Sequence, residues 1–423
     1  MHAIEKILAA HSGRSSVCAG DVIVADIDFC GINDLYPQTM YSFAEIGGEK
    51  VWDKDKAACI FDHYAPCPSA KTAATHREFR TFRDKNQLTY HFDINKGVCH
   101  QVIAEAGLVG PGDIIVITDS HTTTHGAFGA FGTGVGATDM ACILKTGKLW
   151  MKVPEVIEVR VEGTPKKGVY AKDVILKILG TLKADGAVYK CVEFTGSYIE
   201  SLHIPERMTI CNMALETGVK SAYIQPNEEV LQYAESHCVR PYTVQTTDKD
   251  YVYAESYVFD ISDLKPQTAC PAGVDNVFDV KEIEEKRIRL DQGYLGSCTN
   301  GRFEDIEIAA KILKGKHIAD NVRFVVVPAS DKVMRRCIDA GYIQDLLDAG
   351  ATITAPGCAA CLGVHQGLIA EGEVCISSTN RNFPGRMGSK NSSLYLASPA
   401  AVAASMLTGY ITDPTDYDSV KSL

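Results

Sequence analysis

Short runs of β-branched residues alternate along the chain with stretches of helical spacing, the pattern of layered α/β structure with largely parallel sheets. Asp113 to Thr118 (DIIVIT) follows the turn Pro111-Gly112 and predicts a buried strand. Arg323 to Val327 (RFVVV) predicts another, with a helix over Asp331 to Ala340 and a further strand at Ala351 to Thr354. Val156 to Val161 (VIEVRV) alternates as a half-buried strand does, meets the turn Gly163 to Gly168 (GTPKKG), and gives way to helical spacing from Tyr170 to Leu182. No repeat of solenoid period is evident. Thr246 to Asp279 is acid-rich; it carries a last strand-like run at 251–260 and then Pro266 and Pro271, which places a linker in its second half. A weaker break lies at Lys152 to Glu155. The expected organisation is three α/β/α-type domains at 1–155, 156–285 and 286–423.

Composition narrows the function. At roughly 150 residues per domain, 423 residues give about three domains. Hydrophobic residues at 46% and charged residues at 22% are those of a soluble globular protein, which removes disordered and low-complexity classes. The formal charge of -11 argues against a broadly basic surface for nucleic acid or membrane, so an anionic ligand must meet a local positive site. No apolar run approaches the ~18 residues of a membrane span, and the amphipathic start MHAIEKILAAH is unlike a secretory leader, so a cytoplasmic protein is expected. In that setting the 15 cysteines are read as reduced thiols, a subset of them available to a metal.

Five polar clusters share one address, each following directly on an apolar run. They are Asp62-His63; Asp119-Ser120-His121-Thr122; Ser297-Cys298-Thr299-Asn300; Cys358 with Cys361; and Ser378 through Arg386. Ligands of open α/β sheets bind at the carboxyl ends of strands, so one composite site assembled from several loops is expected. Cys358 and Cys361 form a C-x-x-C between Gly357 and Gly363, a spacing shared by zinc sites, iron–sulfur sites, redox dithiols and incidental buried thiols. Cys298 adds a third thiol at another strand end, while Cys337 falls in a helix and Cys375 in a strand. Three thiolates without a fourth leave a metal coordination position open to substrate, which is a catalytic arrangement. A lone Asp-His pair is commonly a hydrogen-bonded surface pair, but the strand-end address of Asp62-His63 favours a general acid. His121 and His100 are further candidates, His100 being equally readable as a core histidine. Asn380, Arg381 and Arg386 lie on a loop restrained by Pro384 and Gly385, where guanidiniums suit a carboxylate ligand. The Gly-rich run Gly126 to Gly136 lacks the leading strand of a nucleotide fingerprint and reads as close loop packing.

Together these motifs resemble the aconitase superfamily, in the family's order and over essentially the whole chain: DH at 62–63, GVCHQ at 97–101, TDSHTTTHGAFGAFGTGVGATD at 118–139, VEFTG at 192–196, GSCTNGR at 296–302, GCAACLG at 357–363 and STNRNFPGRMG at 378–388. Their wording is most similar to the large subunits of 3-isopropylmalate dehydratase and its homoaconitase and dimethylmalate dehydratase relatives. The resemblance implies that Cys298, Cys358 and Cys361 hold a 4Fe-4S cluster whose fourth iron meets the substrate hydroxyl. Asp62 and His63 would protonate the departing hydroxide. Asp119, Ser120, His121, His100 and Glu193 would shape the iron and hydroxyl site, and Asn380, Arg381 and Arg386 would hold carboxylates. Single-chain members continue into a swivelling domain that supplies a serine base, so a separate small subunit is expected to bring it here. The substrate-binding glutamine of citrate-acting members is not found in the loop Ala25 to Cys30, which disfavours citrate. The expected function is reversible dehydration or isomerisation of a 2-hydroxy di- or tricarboxylate, with isopropylmalate and leucine biosynthesis foremost. The rivals from other classes are a zinc-stabilised scaffold and an RNA-binding regulator.

Overall fold

The computed structural model describes residues 1–417 and 420. Three main sheets carry the fold. The first is five-stranded and wholly parallel, in the order Tyr90–Phe92, Ala57–Ile60, Phe29–Asn33, Ile114–Ile117, Phe131–Gly134. The second is four-stranded and parallel, in the order Ser221–Ile224, Cys191–Thr195, Val156–Glu162, Glu255–Asp260. The third runs Val277–Asp279, Gln267–Ala269, Ser393–Ala397, Val374–Ser377, Gln292–Gly296, Arg323–Val327, Thr352–Ile353; its first two pairings are antiparallel and the rest parallel. A two-stranded antiparallel ribbon, Val22–Asp26 with Lys148–Lys152, stands apart. This is the mixed α/β architecture with parallel sheets that the alternating pattern predicts. Gln267–Ala269 and Val277–Asp279, expected to lie in a linker, instead pair into the third sheet.

Burial explains why the strands were readable. Ala57–Ile60 and Ile114–Ile117 are buried at every position, as parallel strands covered on both faces must be, and hence are continuous apolar runs. The helix Ala171–Leu182 packs its Val174, Ile175, Ile178 and Leu179 into the core shared by the first and second sheets. Among the described residues no helix is long and apolar enough to cross a membrane.

The strands of the first and third sheets aim their carboxyl ends at one place. Two contacts lock them together there: Val98 N donates to Ala329 O at 2.9 Å, and Cys358 N to Asp62 O at 2.8 Å. The Gly-rich segment packs as expected beside Asp119, since a Cβ on Gly134 would come within 2.5 Å of Asp119 O.

Candidate active site

Asp119 is the hub. It follows the strand Ile114–Ile117 and caps the buried 3-10 helix Ser120–Phe128, its Oδ1 accepting the His121 backbone N–H at 2.8 Å. The same oxygen accepts from His100 Nε2 at 3.1 Å, and Oδ2 lies 3.1 Å from His63 Nε2. Burial by itself would raise the Asp119 carboxyl; hydrogen bonds from His100, His121 and His63 outweigh it and hold the group well below the usual carboxylate range.

His63 is flanked at both ring nitrogens by carboxylates. Nδ1 donates to Asp62 Oδ1 at 2.7 Å while Nε2 faces Asp119. Carboxylates only accept, so both ring nitrogens carry protons and the imidazole is a cation. Burial opposes that charge, but the Cys358 sulfur and Asp62, with Asp119, prevail and raise the pKa well above the ordinary histidine value. Asp62 is itself fixed by the Cys99 backbone N–H, 2.8 Å from Oδ2. Beneath it Asp34, fully enclosed, accepts the backbone N–H groups of His63 and Tyr64 at 3.0 and 2.8 Å and His76 Nε2 at 3.1 Å. The loop that presents His63 therefore cannot drift without stranding buried donors.

The three predicted thiols converge. Cys298 sits on the short turn Ser297–Asn300, entered through Gly296 at φ 154°, where a Cβ would lie 2.5 Å from Val327 O. Cys358 and Cys361 lie on a tight turn closed by Cys361 N donating to Cys358 O at 3.0 Å. The Asn380 amide stands between the two loops, its Nδ2 3.6 Å from Cys298 Sγ and its Oδ1 3.7 Å from Cys361 Sγ. Asn212 Nδ2 donates to Cys298 Sγ at 3.3 Å, and an Arg386 terminal nitrogen lies 3.8 Å from Cys361 Sγ. Burial pushes Cys298 up to about 12 and Cys358 higher still, while His63 beside Cys358 favours its thiolate. The ligand atoms of Asp62, His63 and Cys358 all lie within 4.8 Å of one another, as do those of Cys99, His100 and Asp119. Cys99 is thus a fourth buried thiol nearby that the sequence did not single out.

This donor set fits the iron–sulfur group implied by the resemblance. Three sulfurs from two loops face one space, with amide and guanidinium donors aimed at them to stabilise bound thiolates. Arg386 Nε and His100 Nδ1 are buried without a partner among the described residues, as groups that await a ligand are.

On the substrate side, Glu216 Oε1 accepts from His121 Nε2 and from Arg381 Nε, each at 2.9 Å, and a terminal nitrogen of Arg381 reaches Ser120 Oγ at 3.3 Å. A cavity of about 380 Å³ runs past Leu215, Glu216, Gly273, Arg381 and Phe383.

Glu193 is not brought to this place. Its carboxylate accepts from Tyr253 OH at 2.5 Å and His2 Nε2 at 2.8 Å, against the N-terminal segment. Strand alternation is the reason: Val192 and Phe194 point into the core between the first two sheets, so Glu193 between them points the other way. Glu216 is the carboxylate that stands there instead, against His121 and Arg381. It escaped the strand-end rule because it follows the helix Ile204–Ala214. The available signal was Asn212 and Glu216, two polar residues four apart across the end of that helix and the 3-10 turn Leu215–Thr217.

A family model described as "Aconitase family (aconitate hydratase)" matches residues 5–409. The chain is 46% identical over 414 residues to "3-isopropylmalate dehydratase large subunit 1" of Methanopyrus kandleri, covering 98% of each chain. It is 45% identical over 414 residues to "2,3-dimethylmalate dehydratase large subunit" of Eubacterium barkeri, covering 97% of this chain and 98% of that one. Among solved structures it resembles the aconitase X of Thermococcus kodakaraensis in its holo-form, with a TM-score of 0.51 and 13% identity over 90% of each chain.

Proposed function

The chain belongs to the aconitase family, and we propose on that premise that it is the large subunit of a hydro-lyase that moves a hydroxyl on a 2-hydroxy dicarboxylate, 3-isopropylmalate and 2-isopropylmalate before others. Family membership implies an iron–sulfur cofactor, and its relatives' designation as large subunits implies a separate small one. The observation that carries the reading is the single convergence of a charged His63, the Asp119 hub and three thiols held from two loops.

Cys298, Cys358 and Cys361 would hold a 4Fe-4S cluster, which when bound supplies a Lewis acid for the substrate hydroxyl. His63 donates the Nε2 proton to the departing hydroxide, and Asp62 fixes the ring and offsets its charge as the proton leaves. Asp119 holds His63 and His100 at one point, while Glu216 orients His121 beside it. Arg381, fixed through Nε by Glu216 and with one terminal nitrogen on Ser120 Oγ, presents its other terminal nitrogen to one substrate carboxylate; Arg386 and the Asn380 loop face a second. None of the described loop residues is placed as a base for the carbon-bound proton, apart from the exposed Ser120, already engaged by Arg381. A swivelling small subunit that closes over the strand ends would bring that base, exclude water and read the rest of the substrate.

The test is turnover of the anaerobically reconstituted chain on isopropylmalate, dimethylmalate and homocitrate, alone and with its candidate small subunit, read by the absorbance of the unsaturated acid. Activity is expected only from the pair, with isopropylmalate preferred; preference for dimethylmalate or homocitrate would move the assignment to that relative. Equal turnover by the isolated chain would contradict the two-subunit reading and turn attention to Ser120. A colourless protein holding one zinc would replace the enzyme with a scaffold.

A further inference from the structure

One buried cation in this molecule has no part in the steps above. Lys172 is the second residue of the helix Ala171–Leu182 and is completely enclosed, with 0% of its surface exposed. Both facts count against it: an ammonium is costly to remove from water, and the first turn of a helix already carries partial positive charge. A lysine persists in such a place only where something nearby makes its charge favourable.

Its hydrogen bonds say where that something is. Nζ donates to Ser378 O at 2.8 Å, to Thr379 O at 2.5 Å and to Asn300 Oδ1 at 3.4 Å, so the three ammonium protons each have an acceptor. Two of these acceptors lie on the loop that continues into Asn380 and Arg381; the third lies two residues beyond Cys298. One side chain from the helix Ala171–Leu182 thus ties the Cys298 turn to the Asn380 loop, whose amide stands between Cys298 and Cys361. All three acceptors are neutral, so hydrogen bonding alone does not balance the charge. Burial lowers the Lys172 ammonium to about 7, against which the acidic groups around it, Asp305, Cys361, Asp173 and Cys298, favour its charge. Burial pushes Asp305 up to about 6 and Asp173 up to about 7, and both carboxylates are engaged elsewhere, Asp305 by Asn300 and the Arg302 backbone N–H, Asp173 by the Tyr170 and Gln267 backbone N–H groups. Cys298 and Cys361 become fixed anions when they bind metal.

We propose that Lys172 is the buried counter-charge of the iron–sulfur site, a positioning residue whose positive charge behind Cys298 and Cys361 raises the reduction potential of the bound cluster. The inference rests on the cluster reading above. Reduction adds negative charge, which an adjacent buried cation stabilises more than it stabilises the oxidised form; the low dielectric of the site makes that difference large.

Lys172→Gln separates charge from hydrogen bonding, because its amide still donates to the Ser378 and Thr379 carbonyls, whereas Lys172→Met removes both. The full chain of each form is reconstituted anaerobically with iron and sulfide, and the cluster's midpoint potential is measured by a redox titration followed by electron paramagnetic resonance. Thermal unfolding of the same proteins without iron reports on the fold. Both variants are expected to bind a cluster that is harder to reduce. At the wild-type midpoint the ratio of reduced to oxidised cluster should fall about tenfold, which for a one-electron couple is about 59 mV. Thermal unfolding of Lys172→Gln should stay close to wild type. A wild-type midpoint in Lys172→Gln would overturn the counter-charge, leaving Lys172 a tie between loops; failure of both variants to fold would assign it to the fold alone and overturn the inference equally. If the wild-type chain itself takes up no iron and sulfide, the cluster reading fails first and this one falls with it.

Discussion

Replacing Glu216 by Gln removes one negative charge from between His121 and Arg381 while preserving size and shape. Glu216 Oε1 accepts two charge-assisted hydrogen bonds, each 2.9 Å long, and its side chain is only 9% exposed, so water cannot substitute. A hydrogen bond to a charged group contributes about 1.5–3 kcal/mol, and Gln keeps its Oε1 for both donors but as a neutral acceptor, for which each bond contributes about 0.5–1.5 kcal/mol. The net loss is therefore about 2 kcal/mol. If both partners act on the substrate, this loss appears in the transition state. At about 1.4 kcal/mol per factor of ten, kcat/KM should fall on the order of 30-fold. The assay is dehydration by the reconstituted pair of subunits, with iron and sulfide content measured in parallel to show that the cluster is retained. Glu193→Gln is the matched control: its carboxylate serves His2, Tyr253 and Thr247, so it should lower unfolding stability by about 1–3 kcal/mol and leave kcat/KM within about threefold. The reverse pattern, with Glu193→Gln slow and Glu216→Gln near wild type, would refute the placement of both carboxylates.

His63→Gln should keep the cluster and lower kcat by roughly 100-fold or more, the usual scale for a positioned acid; near-normal turnover would reduce the Asp62-His63 pair to a structural role. Asp34→Asn tests the support beneath it. Burial opposes ionisation of Asp34, but His76, His63 and the two backbone N–H groups hold its carboxyl below the usual range. A carboxyl depressed by folding stabilises the protein above its unfolded value near ~3.9, and that contribution is lost as pH falls through the folded value. Denaturant unfolding should therefore show Asp34→Asn weaker than wild type by about 1–3 kcal/mol at pH 7, the gap closing as the buffer is acidified toward pH 3. A gap that stays constant with pH would show that ionisation of Asp34 contributes nothing.

Much of this arrangement was legible because parallel strands buried on both faces leave unbroken apolar runs. DIIVIT and RFVVV appear as Ile114–Ile117 and Arg323–Val327, and the polar residues directly after such runs, Asp62, Asp119 and Cys298, come together. The same rule was blind where it had no strand to follow. Asn212 and Glu216 are carried by a helix and its end, and Cys99 opens the helix Cys99–Glu105. Asp34 does follow a strand, Phe29–Asn33, but Gly31 and Asn33 interrupt its apolar pattern although every position is buried. Glu193 lies inside a strand rather than after one, where alternation fixes its direction and a motif cannot. Lys172 was unreadable for another reason: a lysine in the first turn of an amphipathic helix is ordinarily solvated, and only the approach of two distant loops encloses it.

The central claim is that three cysteines on two loops hold one iron–sulfur cluster, and iron and acid-labile sulfide per chain after anaerobic reconstitution test it most directly. The account predicts iron and sulfide in equal amounts with broad visible absorbance in the wild-type chain, in Cys99→Ser and in Cys337→Ser, and loss of both in Cys298→Ser, Cys358→Ser and Cys361→Ser. Full iron and absorbance in Cys358→Ser, or their loss in Cys99→Ser with the three others retained, would contradict it.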